Sequence, residues 1–165
     1  MRIRVLFPLC ITGLVLACAT QSRTSNADPA ALSDGTLVES CTTPPTPPTD
    51  AGVVVDITAD AEGKVHFSSK TVRVDPGQTV TFVSNVNQDR CIGVSDYAIF
   101  AGDVTGPLLV SACTSASWTL LASDASKQYQ LWACATTGDC SKCTQPQGVK
   151  ETINGTLEVT GRGGD

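Results

Sequence analysis

Sulfur is the chemically distinctive resource of this chain. Its 165 residues hold eight cysteines but one histidine, His66, and one methionine, Met1. The cysteines are Cys10, Cys18, Cys41, Cys91, Cys113, Cys134, Cys140 and Cys143, and the last two form the pattern Cys140-Ser-Lys-Cys143. Thiolates are soft ligands that select Cu(I) or Zn, whereas thiols in an oxidising compartment close disulfides. A single Cys-x-x-Cys does not decide between these outcomes. It does not open a helix after a strand, as a dithiol redox motif does, although Lys142 would lower a neighbouring thiol pKa. Hydrolytic chemistry has no footing, because one imidazole without a surrounding nucleophile motif cannot assemble a Ser-His-Asp set. Asp56, Asp60, Glu62 and Asp124 stand beside turns and read as solvated charges. His66, alone in a short strand pattern, reads as a partly exposed surface residue. The expectation is that this chain is not an enzyme.

Which sulfur chemistry applies depends on the compartment, and the N-terminus bears on that. Arg2 and Arg4 precede an apolar run over residues 5–17, broken only by Thr12. That is the plan of an export signal and too short for a comfortable bilayer span. Val15-Leu16-Ala17-Cys18 resembles a bacterial lipobox, in which Cys18 would be lipidated and become the mature N-terminus. An ordinary signal peptide cut near Ala19 is the alternative. Either way the protein is expected outside the cytoplasm. Ala19 after the cysteine leans towards the outer membrane, by the sorting rule of enteric bacteria. Residues 1–17 are thus read as a lipoprotein signal peptide, and the lipid is the expected link to the membrane.

Losing residues 1–17 removes two arginines and no acids, so the net charge goes from −5 to −5 − 2 = −7. An acidic chain without a basic cluster argues against nucleic acid as a partner and leaves an envelope protein as the expected kind. Residues 18–50 are rich in Ser, Thr, Ala, Asp and Pro and end in CTTPPTPPTD. Such a composition cannot bury enough apolar surface to offset its ordering entropy, so it reads as an extended spacer. A Pro-rich docking ligand is the other reading of the same composition. Residues 51–165 remain for one domain. With Cys10 in the leader and Cys18 at the lipid, six cysteines are left. An even six in an oxidising compartment reads first as three disulfides among Cys41, Cys91, Cys113, Cys134, Cys140 and Cys143, a set with fifteen connectivities.

The elements that must position these cysteines are strands. Residues 71–85, TVRVDPGQTVTFVSN, alternate Val72 and Val74, then Val80 and Phe82, on either side of Pro76-Gly77. A period of two flanking a Pro-Gly pair gives two half-buried strands joined by a turn. Val53, Val55 and Ile57 alternate, Val65 starts a short strand, and residues 108–110 read as an edge strand. Tyr129, Leu131 and Ala133 alternate in a strand ending at Cys134, and Leu157 and Val159 close the domain. Residues 85–90 read as a loop, residues 92–107 as irregular, and residues 135–150 as a cysteine-rich loop. Trp118, Trp132 and Tyr129 read as core residues. Asn154-Gly155-Thr156 is not taken as a glycan acceptor. Short strands at eight-to-twelve-residue spacing, without a long helical pattern, give an all-β sandwich.

HFSSKTVRVDPGQTVTFVSN resembles the first half of a cupredoxin, a copper domain of the plastocyanin and azurin type, and Gly155-Thr156-Leu157-Glu158-Val159 fits that family's last strand. The resemblance covers roughly residues 53–161. It implies an all-β, disulfide-stabilised, cupredoxin-like Greek-key β-sandwich and directs attention to a copper site, which needs two imidazoles, a thiolate and a weak axial ligand. The ligands are not retained. The first histidine position falls at or near Cys91, and Cys134 stands where the thiolate would be. Asp139 or Cys140 lies nearest the second histidine, and Cys143 or Gln145 nearest the axial ligand. The resemblance therefore implies that Cys91 and Cys134 lie side by side, and a Cys91–Cys134 disulfide is expected. Cys140 and Cys143 would then each reach a different partner, in Cys113 and Cys41. The competing expectation is a thiolate copper or zinc site at Cys91, Cys134, Cys140 and Cys143. The functional expectation is a lipid-anchored envelope module, structural or binding, that has lost its copper site; a copper-thiolate or electron-transfer protein is the alternative.

Overall fold

The computed structural model describes residues 38–122, 126–144 and 152–161. The leader, the lipidation candidate Cys18, Asp124 and Gln145 lie outside the described residues. The described residues form, in order, the strands β1 (Val53–Ala59), β2 (Val65–Phe67), β3 (Thr71–Val74), β4 (Thr79–Ser84), β5 (Arg90–Val94), β6 (Leu108–Val110), β7 (Ser115–Thr119), β8 (Lys127–Ala135) and β9 (Ile153–Val159). One 3-10 turn, Tyr97–Ile99, is capped by the Asp96 carboxylate accepting from the Ala98 N–H. One sheet has the order β2-β1-β4-β7 and the other β3-β9-β8-β5-β6. The all-β two-sheet sandwich expected from the sequence is the fold. Both sheets are mixed, with β1 parallel to β4 and β3 parallel to β9.

The alternating residues meet between the sheets. Val55, Ile57, Val80 and Phe82 face Val72, Val74, Ile92, Val94, Leu131 and Leu157, all at most 2% exposed. Burying each such side chain stabilises the fold by roughly 1.5–3 kcal/mol. Trp118 is the aromatic centre: Phe100 stacks on it at 4.3 Å, and Phe82 and Tyr97 meet it edge-on at 6.0 and 6.1 Å.

The Pro76-Gly77 turn takes the type II form its residues call for. Gly77 sits at φ +81°, and the Gln78 N–H donates to the Asp75 carbonyl at 3.0 Å. The strands it joins are not a hairpin, because β3 pairs with β9 in one sheet while β4 pairs with β1 and β7 in the other. The turn carries the chain across the sandwich.

The expected spacer is tied to the domain at its end. Ser40 bridges Val86, and the Cys41 N–H donates to the Asn85 carbonyl at 3.0 Å. Further on, the Thr81 hydroxyl donates to the Ala51 carbonyl at 2.9 Å. Thr81 and Val83 point away from the opposite sheet, since their neighbours Val80 and Phe82 point into it, yet they are 0% and 1% exposed. Residues 42–50, fixed at both ends beside β4, form a strap over this face with Pro45 and Pro47 half-buried.

Candidate functional site

Three disulfides take up the six cysteines: Cys41–Cys113, Cys91–Cys140 and Cys134–Cys143, with Cα separations of 5.7, 5.5 and 5.8 Å. The last two form one cluster, built from β5, β8 and the loop after β8. Ile92 pairs with Ala133 and Val94 with Leu131, and these four residues enter the main core. Alternation therefore sends Cys91, Gly93, Trp132 and Cys134 to the outward face. Cys91 and Cys134 are register partners there, as are Gly93 and Trp132.

The loop returns over that face. The Thr136 N–H donates to the Asp89 carbonyl at 3.1 Å, and the Thr136 hydroxyl donates to the Asp139 carbonyl at 2.8 Å. The Asp139 carboxylate accepts from the Ser141 N–H at 2.9 Å, and the Cys143 N–H donates to the Cys140 carbonyl at 3.0 Å. The Ser141 hydrogen bonds, helped by Lys142, hold the Asp139 carboxyl below the usual carboxylate range. This folded turn lays Cys140 against Cys91 and Cys143 against Cys134. Trp132, Cys91 and Cys143 become a second small core, at 5%, 0% and 6% exposure. The Trp132 Nε1–H points at the Cys143 carbonyl at 3.5 Å, and its ring occupies the space a Cβ at Gly93 would need.

The four candidate thiolate positions are thus brought together, but as two cystines. The expected Cys91–Cys134 bond is replaced, although the two residues are neighbours as expected. The folded turn lays each loop cysteine against its own strand cysteine, so the bonds join β5 and β8 to the loop instead of joining the register pair. The expected bonds from Cys140 and Cys143 to Cys113 and Cys41 are replaced as well, because both loop cysteines are engaged at this cluster. Cys41 and Cys113 meet beside residues 85–86: the Cys113 N–H donates to the Val86 carbonyl at 3.1 Å, next to the Asn85 carbonyl that accepts from Cys41.

These donors do not fit a copper ion. A cystine sulfur carries no thiolate charge, and the sole imidazole is elsewhere. His66 lies on the exposed face of β2, with Nε2 3.1 Å from the Thr58 hydroxyl and Nδ1 3.4 Å from the Lys64 carbonyl. Its neighbour Phe67 enters the core, so His66 points out from one sheet while Cys91 and Cys134 point out from the other. Among the described residues no group of three or more His, Cys, Asp or Glu side chains is arranged to hold a metal ion.

Trp132 is a core residue as expected, in the second, outer core, to which its alternation with Leu131 and Ala133 directs it. Gly93 gives no signal in the sequence, because its role is to leave room for the ring. Trp118 is a core residue and Tyr129 packs half-buried against the core.

No protein-family model matches the chain, and no curated protein matches it. Among solved structures, a reduced Cu(I) form of an amicyanin mutant at pH 4 matches with 16% identity, 68% of this chain, 85% of that chain and a TM-score of 0.40. A second amicyanin mutant with Cu(I) matches with 16% identity, 76% of this chain, 100% of that chain and a TM-score of 0.37. Reduced auracyanin from Roseiflexus castenholzii matches with 14% identity, 67% of this chain, 98% of that chain and a TM-score of 0.34.

Proposed function

We propose that the chain is a lipid-anchored module of the cell envelope, non-catalytic, with a cupredoxin-like sandwich that serves as a structural or binding domain. One observation carries this reading: Cys91, Cys134, Cys140 and Cys143, the positions best placed to supply soft ligands, are spent on two cystines. A disulfide needs an oxidising compartment, which agrees with the leader and the lipobox-like Cys18. The acidic charge favours an envelope protein over nucleic acid as the partner.

The test begins with the mature domain made in an oxidising compartment without Cys18. Alkylation under denaturing conditions should add nothing before reduction and six groups after it. Cu(I) and Zn added to the unreduced protein should be removed by gel filtration. Four groups added before reduction, with stoichiometric metal retained until alkylation, would instead establish the thiolate protein. The anchor is tested separately: the full chain should partition into detergent, and Cys18→Ala should move it to the aqueous phase. A Cys18→Ala protein that partitions as before would remove the lipid from the reading.

A further inference from the structure

We propose that residues 42–50 carry O-linked sugar on threonine. The inference rests on the extracytoplasmic reading above and goes beyond it by assigning a modification site. Thr42, Thr43, Thr46 and Thr49 are all exposed, whereas Pro45 and Pro47 between them are half-buried. The strap is held in this orientation. Its start is fixed by the Cys41–Cys113 disulfide and by Cys41 on Asn85. At its end, the Ala51 N–H donates to the Pro48 carbonyl at 3.1 Å, and Ala51, 7% exposed, accepts from Thr81.

The backbone bends at Thr42 and Thr43 and turns at Thr49, and Pro44, Pro45, Pro47 and Pro48 restrict the path between them. All four threonines face water. No hydrogen bond engages the four hydroxyls among the described residues, so none is withdrawn from an incoming enzyme. Threonine interspersed with proline is the composition of O-glycosylated stalks, and here an anchored backbone presents it hydroxyl side outward.

The reaction requires a glycosyl-phosphate donor, soluble or lipid-borne, and a transferase. The threonine Oγ forms a bond to the anomeric carbon as the bond from that carbon to the phosphate oxygen breaks. The phosphate leaves with the electron pair, and the hydroxyl proton passes to a base on the transferase. No oxidant or reductant is involved.

The experiment uses the full chain isolated from membranes of its own source organism, with intact mass followed by fragmentation that preserves side-chain adducts. The expected mass exceeds that of the lipidated, three-disulfide chain by whole monosaccharide units, mapping within residues 42–49. A chain with Thr42→Val, Thr43→Val, Thr46→Val and Thr49→Val should lose every increment while its unfolding midpoint stays within a few degrees. The corresponding serine variants should keep the increments. A lipidated chain of unmodified mass overturns this inference and leaves the module reading intact. So do increments mapping elsewhere, or phosphate in place of sugar. A chain that retains residues 1–17 and carries no sugar overturns both.

Discussion

Replacing Gly93 with alanine tests the outer cluster at its tightest contact. A Cβ there would lie 2.3 Å from both Cε2 and Nε1 of Trp132 and 2.6 Å from Cζ2, while ordinary contact begins at 3.4 Å. The ring must therefore withdraw by at least 3.4 − 2.3 = 1.1 Å. It has little freedom to do so. Trp132 is 5% exposed and packs against Cys91 and Cys143, and disulfides tether the strand at Cys134 and the loop at Cys140 and Cys143. Overpacking of this kind costs about 1–3 kcal/mol, and Ala in place of Gly in a strand returns about 0.5–1 kcal/mol of backbone entropy. The net expectation is a loss of about 1–2 kcal/mol, read from urea unfolding with the disulfides intact. Gly106→Ala is the control, since a Cβ there meets nothing within 4 Å; it should change stability by less than about 0.5 kcal/mol. In a Trp132→Ala background the clash has no partner, so Gly93→Ala should become neutral or mildly stabilising, with a coupling of at least about 1 kcal/mol. A Gly93→Ala protein as stable as the parent, with unchanged near-ultraviolet dichroism, would refute the packing of the ring on Gly93.

Removing Cys41–Cys113 by paired alanine substitution opens a link of 72 residues, against 9 for Cys134–Cys143. Loop entropy then predicts losses of about 4 and just under 3 kcal/mol, and unfolding midpoints in the reverse order would contradict it. Proteolysis should also cut residues 42–50 faster in the first variant only. Burial raises the Tyr97 phenol pKa above its ordinary 10.0, opposed by a backbone hydrogen bond at Val94. Because the folded value is the higher one, Tyr97's contribution to stability is whole below pH 10 and lost as pH rises through the folded value. Ultraviolet titration should show a late-ionising phenol that Tyr97→Phe removes; an unchanged curve would exclude Tyr97 as its source. Arg73 Nε lies 3.0 Å from Glu158 Oε2, but Arg73 is 74% exposed. Arg73→Ala should cost less than about 1 kcal/mol, less still in high salt, and a larger salt-independent loss would show another role for the side chain.

What the sequence disclosed follows from which faces of each strand are covered. In β3, Val72 and Val74 are buried and Thr71 and Arg73 exposed, so the two-residue period is visible. In β5 all five residues are buried, with Arg90 on the face of Ile92 and Val94 and Cys91 under the returning loop. Covered on both faces, RCIGV has no alternation to read, and a loop was expected to run into it. Strand β7 escaped for the opposite reason. Its sequence SASWT offers one large apolar residue, Trp118, while Ser117 and Thr119 hydrogen-bond across to Thr81 and Thr79 at 2.8 and 3.1 Å. Connectivity of the cysteines was not legible at all. Strand register brings Cys91 beside Cys134, but the pairing is decided by the path of residues 136–144, which no local period records.

The burial of the two outward faces has one physical cause. A sandwich built only from its inner faces would leave Thr81 and Val83 on one sheet, and Cys91 and Trp132 on the other, facing water. Each of those outward patches is instead closed by a segment with no regular structure: residues 42–50 on the first sheet and residues 136–144 on the second. Neither segment carries the large apolar residues that would hold it down by burial alone, because apart from Cys140 and Cys143 its composition is Thr, Pro, Gly, Asp, Ser and Lys. Covalent ties do that work. Cys41–Cys113 anchors the first cover, and Cys91–Cys140 with Cys134–Cys143 anchors the second. All three disulfides therefore serve a single task, holding polar segments over sheet faces that would otherwise lose them. The inner core, from Ile57 to Leu157, contains none of these cysteines.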